Sequence, residues 1–130
     1  MVGIVLVSHS AKVAEGIEEL AWEMVPRKIP LVCIGGDEDG RMGTNIDEII
    51  EAVEKVYSKE GVIIIGDVGS SLANSKEALA ILELEGYDNL AVSNAPLVEG
   101  GIIAAVEANL GKSLSQIKQK VESKRIIDWI

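Results

Sequence analysis

Two rhythms of apolar and polar positions alternate along the chain. Val2–Val7 is an unbroken apolar run rich in β-branched residues, which predicts a strand covered on both faces. Ser10 then stands where a helix cap belongs, ahead of apolar positions Val13, Ile17, Leu20, Ala21 and Met24 at helical spacing. Pro26 and Pro30 bracket a connection, Leu31–Ile34 is a second strand, and the Gly35–Gly40 segment is loop. Thr44 followed by Asp47 resembles a capping box for a helix carrying Ile46, Ile49, Ile50, Val53 and Val56. Gly61–Ile65 is a third strand, closed by Gly66-Asp67-Val68-Gly69-Ser70-Ser71 and followed by a helix through Leu72, Ala78, Leu79 and Leu82. Leu90–Val92 is a short fourth strand, and a helix with Ile102, Ile103, Val106 and Leu110 follows. Ser113 and Gln116 form a second capping-box pattern before Leu114, Ile117 and Val121.

Strand and helix thus alternate four times, with strands of the buried kind. That predicts an α/β fold: a parallel four-stranded sheet with helices on both faces, in a single domain over residues 1–130. The tail from Arg125 to Ile130 is too apolar for a free end and is expected to add a last strand to its own sheet or to a neighbouring subunit. In such a sheet every strand-to-helix turn lies on the carboxyl edge, where these folds bind their ligands.

Charge narrows the choice of partner. With 21 acidic against 12 basic residues, net −9, and almost no aromatic side chains, the chain lacks the means to neutralise phosphates or stack bases, so nucleic acid is not an expected partner. No apolar run approaches the roughly twenty residues of a membrane span. A lone cysteine and the absence of a basic leader point to the cytoplasm. Cys33 falls inside a strand and is expected to be a core thiol. One His and one Cys argue against zinc. Asp37, Asp39 and Glu48 fit a calcium-loop spacing, but Arg41 and Met42 stand where that loop needs an oxygen ligand and a glycine, so no metal and no cofactor are expected.

His9 is the only histidine, and it sits between the first strand and the first helix. An imidazole there lies beside the free N–H groups of a helix start, which favour anions, and near neutral pH one ring nitrogen is available as a nucleophile. A structural role for a lone His at a strand end is equally compatible with this placement. Asp67 occupies the equivalent position after the third strand. If the first and third strands are neighbours, its carboxylate can hold one ring nitrogen and leave the other exposed. A solvated turn aspartate is the competing reading. Gly69, Ser70 and Ser71 offer backbone N–H groups and hydroxyls to a phosphoryl group, without the closing Gly-Lys-Ser/Thr of a nucleotide loop.

Four motifs taken together resemble a known family: Val5-Leu6-Val7-Ser8-His9-Ser10, Met42-Gly43-Thr44, Gly66-Asp67-Val68-Gly69-Ser70, and Asn94-Ala95-Pro96-Leu97-Val98-Glu99-Gly100. They are similar, in this order over residues 1–122, to the enzyme IIA domain of phosphotransferase-system-dependent dihydroxyacetone kinases, the DhaM type, itself similar to mannose-family enzyme IIA. Mannose-type chains typically carry Thr-His-Gly and Asp-Thr-Trp-Gly-Gly, so Ser8-His9-Ser10 and Asp67-Val68-Gly69-Ser70 favour the dihydroxyacetone branch. The resemblance implies a phosphohistidine relay. The carrier HPr would phosphorylate His9, and the group would pass to ADP on the kinase subunit DhaL, with Asp67 pairing the histidine. Ser10, Gly69, Ser70 and Ser71 are the expected phosphoryl-binding residues, the assembly is expected to be a homodimer, and HPr-like or enzyme I-like domains would act in trans. Two other outcomes stay open: a mannose-family sugar-transport component, and a non-catalytic regulatory module of the same fold.

Overall fold

The computed structural model describes residues 1–37 and 39–123; the tail expected to form an extra strand lies outside them. The elements run β1 (Gly3–Ser8), α1 (Ala11–Met24), β2 (Leu31–Gly35), α2 (Ile46–Val56), β3 (Val62–Gly66), α3 (Ser70–Leu84), β4 (Leu90–Ser93), α4 (Leu97–Asn109) and α5 (Leu114–Val121). The four strands are parallel in the order β2-β1-β3-β4, so the expected α/β sheet is present and β1 and β3 are neighbours, with Val7 opposite Gly66.

Alternation along β1 divides the interior in two. Val2, Ile4 and Leu6 face one core with residues of α1, α4 and α5, whereas Val5 and Val7 face the other with residues of α2 and α3. The central strands β1 and β3 are buried throughout, as their uninterrupted apolar runs require. Cys33, on the edge strand β2, is half-buried; burial pushes its thiol up to about 12, with nearby Glu18 adding to the effect, so it is an inert thiol.

Helix α1 turns a different stripe to the sheet than its largest side chains suggest. Ala14, Ile17 and Ala21 are buried, while Val13, Leu20 and Met24 are exposed. The alanines allow close approach to the strands, which the bulkier residues would prevent. Helix α4 is buried almost all round, with Gly100, Gly101, Ala104, Ala105 and Ala108 inside and Leu110 outside. The residue capping α2 is Asn45, not Thr44: its side chain accepts from the Glu48 N–H, and the Thr44 hydroxyl instead accepts from Asn74 on α3. At α5 the Ser113–Gln116 capping box is present as expected. Helix α3 begins earlier than its apolar spacing indicates, at Ser70, capped by Gly69 with φ +40, a backbone region that favours glycine.

Candidate active site

Parallel pairing of β1 with β3 ends both strands at one point on the carboxyl edge, and the backbone there is cross-tied by the Asp67 N–H donating to Val7 O at 3.1 Å. His9 and Asp67 each follow their strand by one residue. Two glycines let the flanking helices come this close. A Cβ on Gly35 would lie 2.3 Å from Ser10 O, and one on Gly66 would lie 2.7 Å from Ser71 Oγ. Beside β1, the Gly43 N–H donates to His9 O at 2.8 Å, so the Met42-Gly43-Thr44 segment buttresses the histidine backbone.

The carboxylate of Asp67 is saturated. Oδ1 accepts from His9 Nδ1 at 2.8 Å and from the Val68 N–H at 2.8 Å. Oδ2 accepts from the Ser8 hydroxyl at 2.9 Å and from the His9 N–H at 3.0 Å. Partial burial alone would push this carboxyl up, but the hydrogen bonds from His9, Val68 and Ser8 outweigh it and hold the group well below the usual carboxylate range. It is therefore charged near neutral pH, and it fixes the hydrogen of the neutral imidazole on Nδ1.

Nε2 is then a lone pair on the exposed side of the ring, and the Ser70 hydroxyl, 2.6 Å away, donates to it. Both side chains of the His9–Asp67 pair remain about a quarter exposed, so the ring is held from behind and open in front. Helix α3 has no side-chain cap; the Ser71 and Leu72 N–H groups turn back onto Val68 O and Gly69 O, so the Gly69–Ser70 backbone is the part of this helix start that faces an anion beside the ring.

The six residues singled out by sequence have different fates. His9, Asp67 and Ser70 converge. Gly69 supplies the turn that starts α3. Ser10 caps α1, its hydroxyl accepting from the Val13 N–H at 3.2 Å, with the hydroxyl hydrogen still free to donate. Ser71 does not fit a phosphoryl-binding role. It is fully buried, and both its N–H and its hydroxyl donate to Val68 O, because helical periodicity turns the second residue of α3 toward the sheet. Sequence reasoning missed Ser8, whose buried hydroxyl joins Asp67, and the Gly43 buttress. A polar residue ending a strand that is otherwise apolar was the available signal for Ser8.

The fold and site together define an α/β protein with a parallel sheet and a histidine–carboxylate pair on its carboxyl edge. Residues 3–118 match the EIIA-man family, described as the fructose IIA component of the phosphotransferase system. The chain belongs to that family. It is 37% identical over 121 residues to the phosphoryl donor subunit DhaM of the phosphoenolpyruvate-dependent dihydroxyacetone kinase 2 of Listeria innocua, covering 93% of this chain and 97% of that one. With the phosphotransferase subunit DhaM of Lactococcus lactis the identity is 33%, over 95% of this chain and 96% of the relative. The Escherichia coli DhaM is longer: this chain is 34% identical to it and spans 25% of its length. A solved structure of a protein of unknown function, EF1359, superposes with a TM-score of 0.80 at 30% identity, covering 95% of both chains. A DegV-family protein of Corynebacterium glutamicum, at 17% identity and TM-score 0.60 over 94% of this chain and 49% of that one, shares the fold alone.

Proposed function

We propose that the chain is the phosphoryl donor subunit of a phosphoenolpyruvate-dependent dihydroxyacetone kinase and works as a single carrier domain with His9 Nε2 as the carrier atom. One observation supports the reading: Asp67 occupies Nδ1, so the lone pair of the neutral ring lies on Nε2, at its open side. In the first step the Nε2 lone pair attacks the phosphorus of phosphohistidine on HPr in line. The donor's phosphorus–nitrogen bond breaks as the bond to Nε2 forms, and the donor ring recovers its lone pair. The phosphorylated ring keeps its Nδ1 hydrogen and carries positive charge, which the Asp67 carboxylate stabilises. The Ser70 hydroxyl, displaced from Nε2, donates to a phosphoryl oxygen, with the Gly69–Ser70 backbone and Ser10 alongside. In the second step a terminal phosphate oxygen of ADP on the DhaL subunit attacks, the phosphorus–nitrogen bond breaks, and the ring returns to its starting state.

Both partners must reach the same atom, so the surroundings of the ring should be an open protein-docking face. Exposed apolar side chains support this: Val13 in the first turn of α1, Met42 after β2, Val68 after β3 and Val98 in the first turn of α4. All four belong to the carboxyl edge that carries His9. No helix among the described residues is long and apolar enough to cross a membrane. A cytoplasmic homodimer is part of the same reading.

Incubation with phosphoenolpyruvate, enzyme I and HPr tests it. An acid-labile, base-stable phosphate on the wild type, absent from His9→Ala, is expected. A chain that stays unmodified with a competent HPr, or a His9→Ala variant that is fully modified, contradicts the relay.

A further inference from the structure

The Ser8 hydroxyl belongs to no group that the phosphoryl would meet, yet it is buried against the acid that orients the ring. It ends β1 at 1% exposure. The Ser10 backbone N–H donates to its oxygen at 3.1 Å, and Asp67 Oδ2 lies 2.9 Å away. An amide N–H can only donate and a carboxylate only accept, so the single hydroxyl hydrogen must point at Asp67. The direction of the chain Ser10 N–H to Ser8 Oγ to Asp67 Oδ2 is therefore fixed.

We propose that Ser8 is a positioning residue for phosphoryl transfer: its hydroxyl, oriented by the Ser10 N–H, pins the plane of the Asp67 carboxylate so that Oδ1 stays aligned with His9 Nδ1. The proposal rests on the carrier reading above. A carboxylate turns about its last side-chain bond in a broad well, so its plane is set by its donors. The His9 and Val68 N–H groups hold it from the two turns. Apart from the ring, Ser8 supplies the only side-chain donor to Asp67 among the described residues. Through Ser10 it also couples the start of α1 to the acid after β3, so that ring, helix start and carboxylate form one connected network.

Histidine-labelled wild type, Ser8→Ala and Ser8→Thr are to be compared by two readouts: solvent exchange of the His9 Nδ1 proton by NMR, and the initial rate of phosphorylation by phosphoenolpyruvate, enzyme I and HPr. Ser8→Ala is expected to exchange roughly tenfold faster and to be phosphorylated roughly tenfold more slowly, the scale of one hydrogen bond to a charged group. Threonine keeps the hydroxyl on a strand-compatible side chain and is expected to restore both. If Ser8→Ala does not fold, Ser8→Cys fills the same space with a weak donor and is expected to show both losses. Unchanged values in the folded variant overturn the proposal, as does a slower rate with unchanged proton exchange, which marks a merely structural role. Wild type that takes no phosphate overturns the carrier reading instead, a result separate from the exchange comparison.

Discussion

Asp67 receives four hydrogen bonds from three residues, and this concentration of donors makes two outcomes predictable at the scale of single side chains. Asp67→Asn replaces one acceptor oxygen by an N–H₂ group facing donors, so the ring loses both its orientation and its compensating charge. Transfer is expected to slow on the order of 10²–10⁴-fold in single-turnover phosphorylation, with an unchanged circular dichroism spectrum. The second outcome concerns pH. The native carboxyl lies below its ordinary value of 3.8, so over the intervening range the unfolded chain holds a proton that the native chain does not. Stability there rises with pH: the contribution is fully present above about pH 5 and is lost as pH falls below about 4. Urea denaturation at pH 7 and pH 3.5 is expected to show a smaller loss on acidification for Asp67→Asn than for the wild type. Equal losses in both proteins would contradict the saturated-carboxylate picture.

Elements place these side chains, and α1 shows how a periodic pattern can give an element's type without its orientation. Its apolar residues cover a stripe wider than the one that meets the sheet, and periodicity alone cannot say which edge of the stripe is buried. Small side chains decide it, because Ala14 and Ala21 permit the close approach. Ile17→Ala is therefore expected to cost about 2–4 kcal/mol of unfolding free energy, and Leu20→Ala under about 1 kcal/mol, in chemical denaturation. The reverse order would place the helix a fraction of a turn away. A second element-scale test lies at the end of β2: a methyl group at Gly35 would collide with the backbone of the α1 cap, which cannot swing aside. Gly35→Ala is expected to lose roughly 1–3 kcal/mol and to weaken phosphate acceptance together with stability.

For the molecule as a whole, the parallel four-stranded sheet was legible because buried β-branched runs alternating with helices leave few topologies. The pairing of β1 with β3 that joins the His9 and Asp67 turns was only a condition in the sequence, and it is met in the strand order β2-β1-β3-β4. Most hydroxyl roles were not legible. Ser10 was legible as the cap of α1, but Ser8, Ser70 and Ser71 are chemically alike, and only the fold shows that they hold the acid, hydrogen-bond to Nε2 and fasten a turn respectively. Thr44 misled for a related reason: its neighbour Asn45 offers the same capping chemistry one residue later, and the choice depends on Asn74 across the site. The scaffold exposes one ring nitrogen of His9 and reserves the other for an acid. The most direct test is phosphorus–nitrogen NMR on histidine-labelled protein after incubation with phosphoenolpyruvate, enzyme I and HPr. Phosphorus coupled to His9 Nε2, with the hydrogen retained on Nδ1, is the expected result. Phosphorus bound to Nδ1, or a folded protein whose ring stays unmodified beside a competent donor, would contradict it.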